Sequence, residues 1–336
     1  MSDKKRVSLV CTVRNEEDNI AQLIESMIGQ SVPADEIVIN DCNSDDATIA
    51  IVQQYINMGY QLRLVTGGHN IPSGRNNAIH HATGDIVVCT DAGLILDRHW
   101  LRRITAPLHA DEADLVAGFF SPLPRSVFEL AIGATNYPYA DEVNRDSFLA
   151  FGKSVAFFKH VWETIDGYPE WATHCEDVLF DLAVKQHDFR TSMVPDALVY
   201  FRPREDFVQF ARQYFFYARG DAVAGLWPRR HAIRYMVYVW GFLLLLIGGW
   251  GHWLLMLGVI AYAQRPWQRL IRRYQDGVNG WQCIAAAGLV PWIRLVGDCA
   301  KMVGYVAGLV RLWQLPELRQ VRNEWLDQYV DTLPAA

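Results

Sequence analysis

Gly84-Asp85-Ile86-Val87-Val88-Cys89-Thr90-Asp91-Ala92-Gly93 is the stretch that decides the fold of this chain. A short β-branched apolar run stops at a carboxylate, and two small residues follow. A strand buried on both faces of a parallel sheet reads as a continuous apolar run, and open α/β sheets bind ligands at the carboxyl ends of such strands. Small neighbours let a bulky charged group approach the backbone. Asp91 is thus either a ligand-facing acid or a plain strand-end cap, and the surrounding sequence has to decide between them.

Working outward, strands and helices alternate as in repeated βαβ units. Val7–Val13 reads as a strand and Glu17–Gly29 as a helix with Ile20, Leu23, Ile24, Met27 and Ile28 on one face. Glu36–Asn40 is a second strand, followed by a helix from Thr48 to about Asn57. Gln61–Val65 is a third strand, Gly74–Ala82 a helix, and Asp85–Thr90 the fourth strand. This spacing predicts a parallel sheet with right-handed crossovers. Residues 114–201 are mixed and loop-rich, as expected of a subdomain on the side of the second substrate.

The formal net charge of -6 hides an asymmetry. Residues 1–226 carry 19 Lys+Arg against 31 Asp+Glu, a net of -12, whereas residues 227–336 carry 12 against 6, a net of +6. An acidic front does not suit nucleic-acid binding, and a basic apolar back suits an anionic membrane surface. The six cysteines form no C-x-x-C pair and read as reduced, largely buried thiols. No signal peptide is apparent, because the apolar run after Lys4-Lys5-Arg6 is short and lacks a small-residue cleavage site. The front half is therefore expected to stay in the cytoplasm.

Tyr235–Ala263 carries no formal charge over 29 residues. As one helix it would extend about 43 Å, more than a ~30 Å hydrocarbon core needs. Gly248-Gly249-Trp250-Gly251-His252 is a poor helix interior, so two short helices of about 12–16 residues joined there form the competing arrangement. Arginines flank both ends, which favours a hairpin or re-entrant segment with both ends cytoplasmic over one crossing. A buried core helix is the bland alternative. After Pro291, Trp292, Leu295, Val296, Cys299, Met302, Val303, Val306, Leu309, Val310 and Trp313 recur at helical spacing, with Arg294, Asp298, Lys301 and Arg311 off the stripe. Residues 292–313 are therefore expected to form an amphipathic helix of the interfacial kind. Packing on the front domain is the other option.

Five motifs carry chemistry. Thr12-Val13-Arg14-Asn15-Glu16 follows the first strand, where polar groups can hold a base or ribose. Asp41-Cys42-Asn43-Ser44-Asp45-Asp46-Ala47-Thr48 follows the second, and an acid there can accept from a nucleobase N–H or a ribose hydroxyl. In Gly74-Arg75-Asn76-Asn77-Ala78, Arg75 can pair with a phosphate as a planar fork. Asp91 can hold magnesium or manganese together with substrate phosphates. Cys175-Glu176-Asp177 precedes an apolar helix face, and Asp177 can act as a general base. Each has a structural alternative in a turn, a cap or a set of acids complementing a helix dipole.

Their order supplies the specificity that each lacks. The set resembles glycosyltransferase family 2, whose catalytic domain has the GT-A fold. The D-x-x-S-x-D-x-T signature falls on Asp41, Ser44, Asp46 and Thr48; the A-R-N helix start matches Gly74-Arg75-Asn76; the D-x-D is represented by Asp91-Ala92-Gly93; and the E-D pair matches Glu176 and Asp177. Gly167-Tyr168-Pro169-Glu170 looks like the family's G-G-Y-P-E turn. The resemblance covers about residues 6–225. It implies an inverting, metal-dependent sugar transfer from a nucleotide sugar. Thr12, Arg14, Glu16 and Asp41 would then lie near the nucleoside, with Arg75 on the phosphates, Asp91 at the divalent cation (Mg or Mn), and Asp177, beside Glu176, as base. Two departures stand out. Gly93 replaces the second D-x-D acid, and Gln213-Tyr214-Phe215-Phe216-Tyr217 has Phe where the Q-x-x-R-W motif of processive synthases has Arg. The second argues against a polymerising synthase; Arg212 or Arg219 is the substitute charge.

The expected fold class is α/β: a GT-A catalytic domain with a Rossmann-like, mostly parallel sheet over residues 1–225, then an all-α membrane-associated region over 226–336. The expected function is a membrane-attached glycosyltransferase on the cytoplasmic face, moving sugar from a nucleotide-sugar donor to a hydroxyl acceptor that is lipid-linked or close to the membrane, with no nucleic acid involved. The alternatives are a catalytically silent GT-A module that acts as scaffold or donor binder, and a nucleotidyltransferase, for which no Gly-rich basic phosphate loop follows the first strand.

Overall fold

The computed structural model describes residues 5–145 and 147–330. Eight strands make one sheet: β1 (Val7–Val13), β2 (Glu36–Asp41), β3 (Leu62–Thr66), β4 (Ile86–Asp91), β5 (Leu94–Leu96), β6 (Leu115–Pro122), β7 (Ser154–Phe158) and β8 (Thr191–Phe201). The helices are α1 (Ile20–Ile28), α2 (Thr48–Asn57), α3 (Ile71–His81), α4 (Trp100–His109), α5 (Val127–Asn136), α6 (Lys159–Thr164), α7 (Glu176–Gln186), α8 (Phe207–Ala224), α9 (Pro228–Ile247), α10 (Trp250–Gln275), α11 (Gly280–Gln314) and α12 (Pro316–Tyr329). By chain contacts they divide into two compact units, residues 5–121, 139–201 and 321–330 in the first and 122–138 and 202–320 in the second. The 1–225 segment thus contributes α5 and α8 to the second unit.

In the first unit the strand order is β3-β2-β1-β4-β7-β6-β8-β5. Strands β1, β2 and β4 are apolar almost throughout because helices cover both faces of the sheet, and nearly every one of their residues is buried. They pair in parallel, as expected, with β3 outside β2. Beyond β4 the pairing turns antiparallel: β7 runs against β4 and β6 against β7. The sheet is thus mixed, with its parallel half on the side of the amino terminus.

Register sets the positions of the acids. Thr12 on β1 lies beside Asn40 on one flank and Asp91 on the other, and Val13 lies beside Asp41. The carboxylates ending β2 and β4 therefore sit on either side of the first strand. Helix α1 buries Ile20, Leu23, Ile24 and Met27, the face read from the sequence; each such side chain is worth roughly 1.5–3 kcal/mol when fully buried. Helix α3 starts three residues before Gly74. Asn70 caps it by accepting from the Ser73 N–H at 3.0 Å, the Ser73 hydroxyl accepts back from the Asn70 N–H at 3.1 Å, and Pro72 is tolerated in the first turn. All six cysteines are free thiols, with Cys175 half-buried, Cys299 exposed and the others buried.

The second unit is helical. Leu130, Ile132, Phe210, Leu270, Val290 and Ile293 belong to its core. The apolar segment 235–263 is two helices, broken at Gly248 (φ 68°) and Gly249 (φ 49°). Its arms are longer than expected, 20 and 26 residues, because α9 begins at Pro228 and α10 continues through Pro266 to Gln275. The stripe expected over 292–313 lies on a longer helix, α11, of 35 residues that runs through Pro291.

That helix is inverted relative to a soluble one. Its first half buries Ala286, Val290 and Ile293, but beyond Ile293 its inward face is small or polar: Gly297, Asp298, Gly304 and Gly308 are buried. A Cβ on Gly304 would lie 2.2 Å from the Phe215 carbonyl oxygen, and one on Gly308 2.4 Å from that of Arg219, so α8 and α11 touch backbone to backbone. The bulky stripe points outward, with Trp292, Val303, Val306 and Trp313 all exposed. Asp298 sits inward, accepting from Tyr262 Oη at 2.6 Å, Arg234 Nε at 3.0 Å and Tyr238 Oη at 3.1 Å, which ties α9, α10 and α11 together. Helices α9 and α11 are each long and apolar enough to cross a membrane.

Candidate active site

The two loops after β1 and β2 are laced together. Ser44 Oγ accepts the backbone N–H of Asn15 at 2.9 Å, Thr48 Oγ1 that of Glu16 at 2.8 Å, and Asp46 Oδ2 that of Glu17 at 3.1 Å. Asp41, fully buried, accepts from the backbone N–H and hydroxyl of Ser44. Three residues of the D-x-x-S-x-D-x-T signature thus fix the loop that carries Arg14 and Glu16, rather than merely capping α2. This lacing also delays α1 to Ile20, because residues 15–17 spend their N–H groups on side chains across the gap.

Helix α3 enters over the strand ends. A Cβ on Gly74 would lie 2.3 Å from Thr12 Oγ1 and 2.4 Å from Cys42 Sγ, so only glycine lets the helix pack this close. Thr12 is accordingly buried, with Oγ1 facing Asn40 and Cys42. The next side chain is the hub of the site. Arg75, 2% exposed, donates through Nη2 to Asp91 Oδ1 at 2.8 Å and through Nη1 to Glu176 Oε1 at 3.3 Å. Its guanidinium lies 4.8 Å over the Tyr168 ring and is roofed by Gly152, whose Cβ would come 2.8 Å from Nη2. Asn76 holds the Gly167-Tyr168-Pro169-Glu170 turn: its Oδ1 accepts from the Tyr168 N–H at 2.8 Å and its Nδ2 donates to the Tyr168 carbonyl at 2.8 Å. Tyr168 in turn stacks on Phe180 of α7, ring centroids 4.1 Å apart. The short motif at α3 therefore positions the strand-end acid, the turn and the acids of α7 at once.

At the start of α7, Asp177 accepts from the Val178 N–H at 2.9 Å and the Gly152 N–H at 3.3 Å. Burial raises its pKa above the usual carboxylate value. Burial, reinforced by the Asp177 charge, pushes Glu176 up to about 7 against the opposing pull of Arg75. The sign follows: the raised value favours the protonated folded state, so this stabilisation is complete below pH 4.5 and is lost as pH rises through about 7. Any reaction that needs the acid pair ionised should quicken through the same window. In Glu176→Gln the rate limb near pH 7 should vanish and the decline of melting temperature between pH 4.5 and 7 should flatten; pH profiles of kcat/KM and of Tm check both.

The structure brings together Arg75, Asp91, Glu176 and Asp177, and places Thr12 and Asp41 at the neighbouring strand ends. Arg14 is exposed on the laced loop, with Glu16 half-buried beside it. Phe216, Arg212 and Arg219 belong to α8 in the second unit, where both guanidinium groups lie over the Phe216 ring at 5.8 and 4.6 Å. Sequence reading missed Lys153 and Asp181. Lys153 Nζ lies over the rings of Phe120, Phe201 and Phe151, and burial lowers its pKa to about 8 against the pull of Asp91 and Asp177. Asp181, one turn beyond Asp177 on α7, is held well above the ordinary carboxylate value by burial and by the Asp177 charge. Its i,i+4 spacing from Asp177 was the available signal.

Among the described residues no three His, Cys, Asp or Glu side chains converge on a metal position. Asp91 is 39% exposed, already bound to Arg75 on one oxygen, and Gly93 offers no second acid. These residues fit a magnesium or manganese ion held by one carboxylate and the donor's own phosphate oxygens, and do not fit one held by protein alone.

The mixed α/β sheet that carries the strand-end acid, the buried arginine and the acid pair has the GT-A fold. Residues 8–130 match the profile of the family described as Glycosyl transferase family 2. Over that stretch the chain is similar to family 2 glycosyltransferase domains, and the similarity supports a glycosyltransferase. It is similar to EpsE of Bacillus subtilis (strain 168), provisionally named a glycosyltransferase, with 25% identity over 242 residues, 66% of this chain and 81% of that one. It is also similar to the beta-monoglucosyldiacylglycerol synthase of Synechocystis sp. (strain PCC 6803), with 31% identity over 105 residues, 30% of this chain and only 22% of that one. Among solved structures, the mannosyltransferase PcManGT of Pyrobaculum calidifontis, in complex with GDP-Man and Mn2+, superposes with a TM-score of 0.53 at 20% identity, over 93% of this chain and 88% of that one. That likeness establishes the fold.

Proposed function

We propose that this protein is an inverting glycosyltransferase that attaches to the membrane through residues 226–336 and transfers a sugar from a nucleotide donor to a hydroxyl of a lipid-linked or membrane-proximal acceptor on the cytoplasmic side. The observation that carries this reading is the Arg75 guanidinium, which joins the strand-end acid Asp91 to Glu176 and so gathers the β4 acid and the α7 acids into one cluster.

Asp41 and the laced loop with Thr12, Arg14 and Glu16 hold the nucleoside, and Arg75 and Asp91 face the diphosphate. Asp177 takes the proton of the acceptor hydroxyl as its oxygen attacks the anomeric carbon. The bond from that carbon to the diphosphate oxygen breaks on the opposite face, the electron pair leaves with the nucleoside diphosphate, and the configuration inverts. When bound at Asp91, a divalent cation supplies charge neutralisation for the departing diphosphate. Holding both substrates in line removes up to about 7–11 kcal/mol of the barrier in well-oriented systems. The outward apolar surfaces of α9, α10 and α11 support membrane attachment, and the named product of the cyanobacterial relative, a glucosylated diacylglycerol, supports a lipid acceptor.

The test uses the full chain in lipid nanodiscs with a panel of UDP- and GDP-sugars, with and without manganese, followed by extraction of labelled product into organic solvent. One donor should bind, release its nucleoside diphosphate and label the lipid fraction. Pyrophosphate release would instead mark a nucleotidyltransferase, and donor binding without transfer to any lipid extract a silent module. Flotation with anionic vesicles checks attachment. Leu246→Asp, at an exposed α9 position, should lower the floating fraction, because an acid at the bilayer centre costs roughly 2.5–3.5 kcal/mol.

A further inference from the structure

Strands β4 and β7 run antiparallel with Thr90 opposite Ser154. Lys153 lies in the turn that leads into β7, and Phe201, whose ring its Nζ overlies at 4.5 Å, pairs with Leu94, three residues beyond Asp91. The preceding residue, Gly152, gives its N–H to Asp177 at 3.3 Å and roofs the Arg75 guanidinium. Lys153 therefore lies close enough to the strand-end acid and to Asp177 to interact with both charges.

Its ammonium group sits in an aromatic enclosure. Nζ lies 4.4 Å from the centroid of Phe120, 4.5 Å from Phe201 and 5.3 Å from Phe151. Aromatic faces attract a cation without neutralising it, and they exclude the water that would otherwise screen it. The positive charge is thereby held near Asp91, where the diphosphate of a donor would sit. The same corner lacks a carboxylate. Gly93, at φ 73°, stands where the D-x-D pattern has its second acid, and a Cβ there would meet nothing within 4 Å. The D-x-D position thus brings one acid rather than two, with Lys153 close by.

We infer that Lys153 binds the diphosphate of the nucleotide donor and neutralises the charge that develops on it as the sugar leaves, taking over part of the duty of a metal held by two acids. A lysine serves this purpose as a point charge, which suits oxygens that gain charge in the transition state. The assignment deepens the proposed glycosyl transfer and rests on it.

Calorimetry on the full chain in nanodiscs tests it, using UDP and GDP against uridine and guanosine, with EDTA present. Lys153→Met keeps the apolar stem within the rings and removes the charge. It should weaken the preferred nucleoside diphosphate at least tenfold and leave the matching nucleoside unchanged, and Lys153→Arg should restore part of the loss. Unchanged diphosphate affinity in Lys153→Met, or equal weakening of nucleoside and diphosphate, overturns the assignment. So does a raised KM for the acceptor with normal diphosphate affinity, which would place the lysine on the acceptor's side. Those results leave the transfer reading standing. Absence of any nucleotide binding by the unmodified chain, with manganese or with EDTA, would instead sink both.

Discussion

Asp177→Asn should lower sugar transfer by roughly 10²- to 10⁴-fold, the range a positioned proton acceptor contributes, with donor affinity intact. The side chain is held by two backbone donors, the Val178 N–H at 2.9 Å and the Gly152 N–H at 3.3 Å, and an asparagine oxygen accepts from both. The substitution therefore removes basicity and little else. Burial has already raised the acid above its usual range, so an uncharged amide costs the fold nothing comparable. Single-turnover rates with the preferred donor, beside calorimetric affinity for its nucleoside diphosphate, separate the two effects. Transfer at the unmodified rate would remove Asp177 from the chemistry and leave Asp181, the other raised acid on the same helix face, as the residue to test.

Arg75→Met should be the most damaging single change to the first unit. The guanidinium is buried with two carboxylates, the Tyr168 ring and the Gly152 backbone around it. Removing one partner of a buried charge pair costs about 3–5 kcal/mol, since the remaining charge has no water to turn to. For a unit of this size that is a fall in melting temperature on the order of 10 °C. The double variant Arg75→Met with Glu176→Gln should recover part of that loss, because one stranded acid becomes neutral, and should recover none of the transfer. Thermal scans and transfer rates on the two variants decide it. A melting temperature within 2 °C of the parent, about the shift expected for 1 kcal/mol, would show that Arg75 is not the hub described.

The sequence made the parallel half of the sheet legible because its physics is local. Buried central strands are apolar at most positions, so β1, β2 and β4 appear as runs that end in Asp or in a polar loop. What stayed hidden depended on distant partners. Helix α3 was expected from Gly74; the reciprocal Asn70–Ser73 cap starts it at Ile71, with proline in the first turn. Lys153 carried no local signal. Its surroundings come from the turn just before β7, a strand that pairs with β4 more than sixty residues earlier, together with three phenylalanines drawn from β6, β8 and the preceding loop. The 292–313 stripe was visible as a pattern, but a pattern cannot say which face turns inward. Glycines on the opposite side, meeting the backbone of α8, settled that.

Ser44, Asp46 and Thr48 spend their oxygens on the main chain of residues 15–17. Damage at any of the three would misplace Arg14 and Glu16 and so resemble damage at those residues, although the altered atom never meets a nucleotide. Turnover alone therefore cannot tell a hinge pin from a handle in this corner. A map of donor contacts drawn from activity screens would come out too large, with its surplus falling on the strut rather than on the surface it props up.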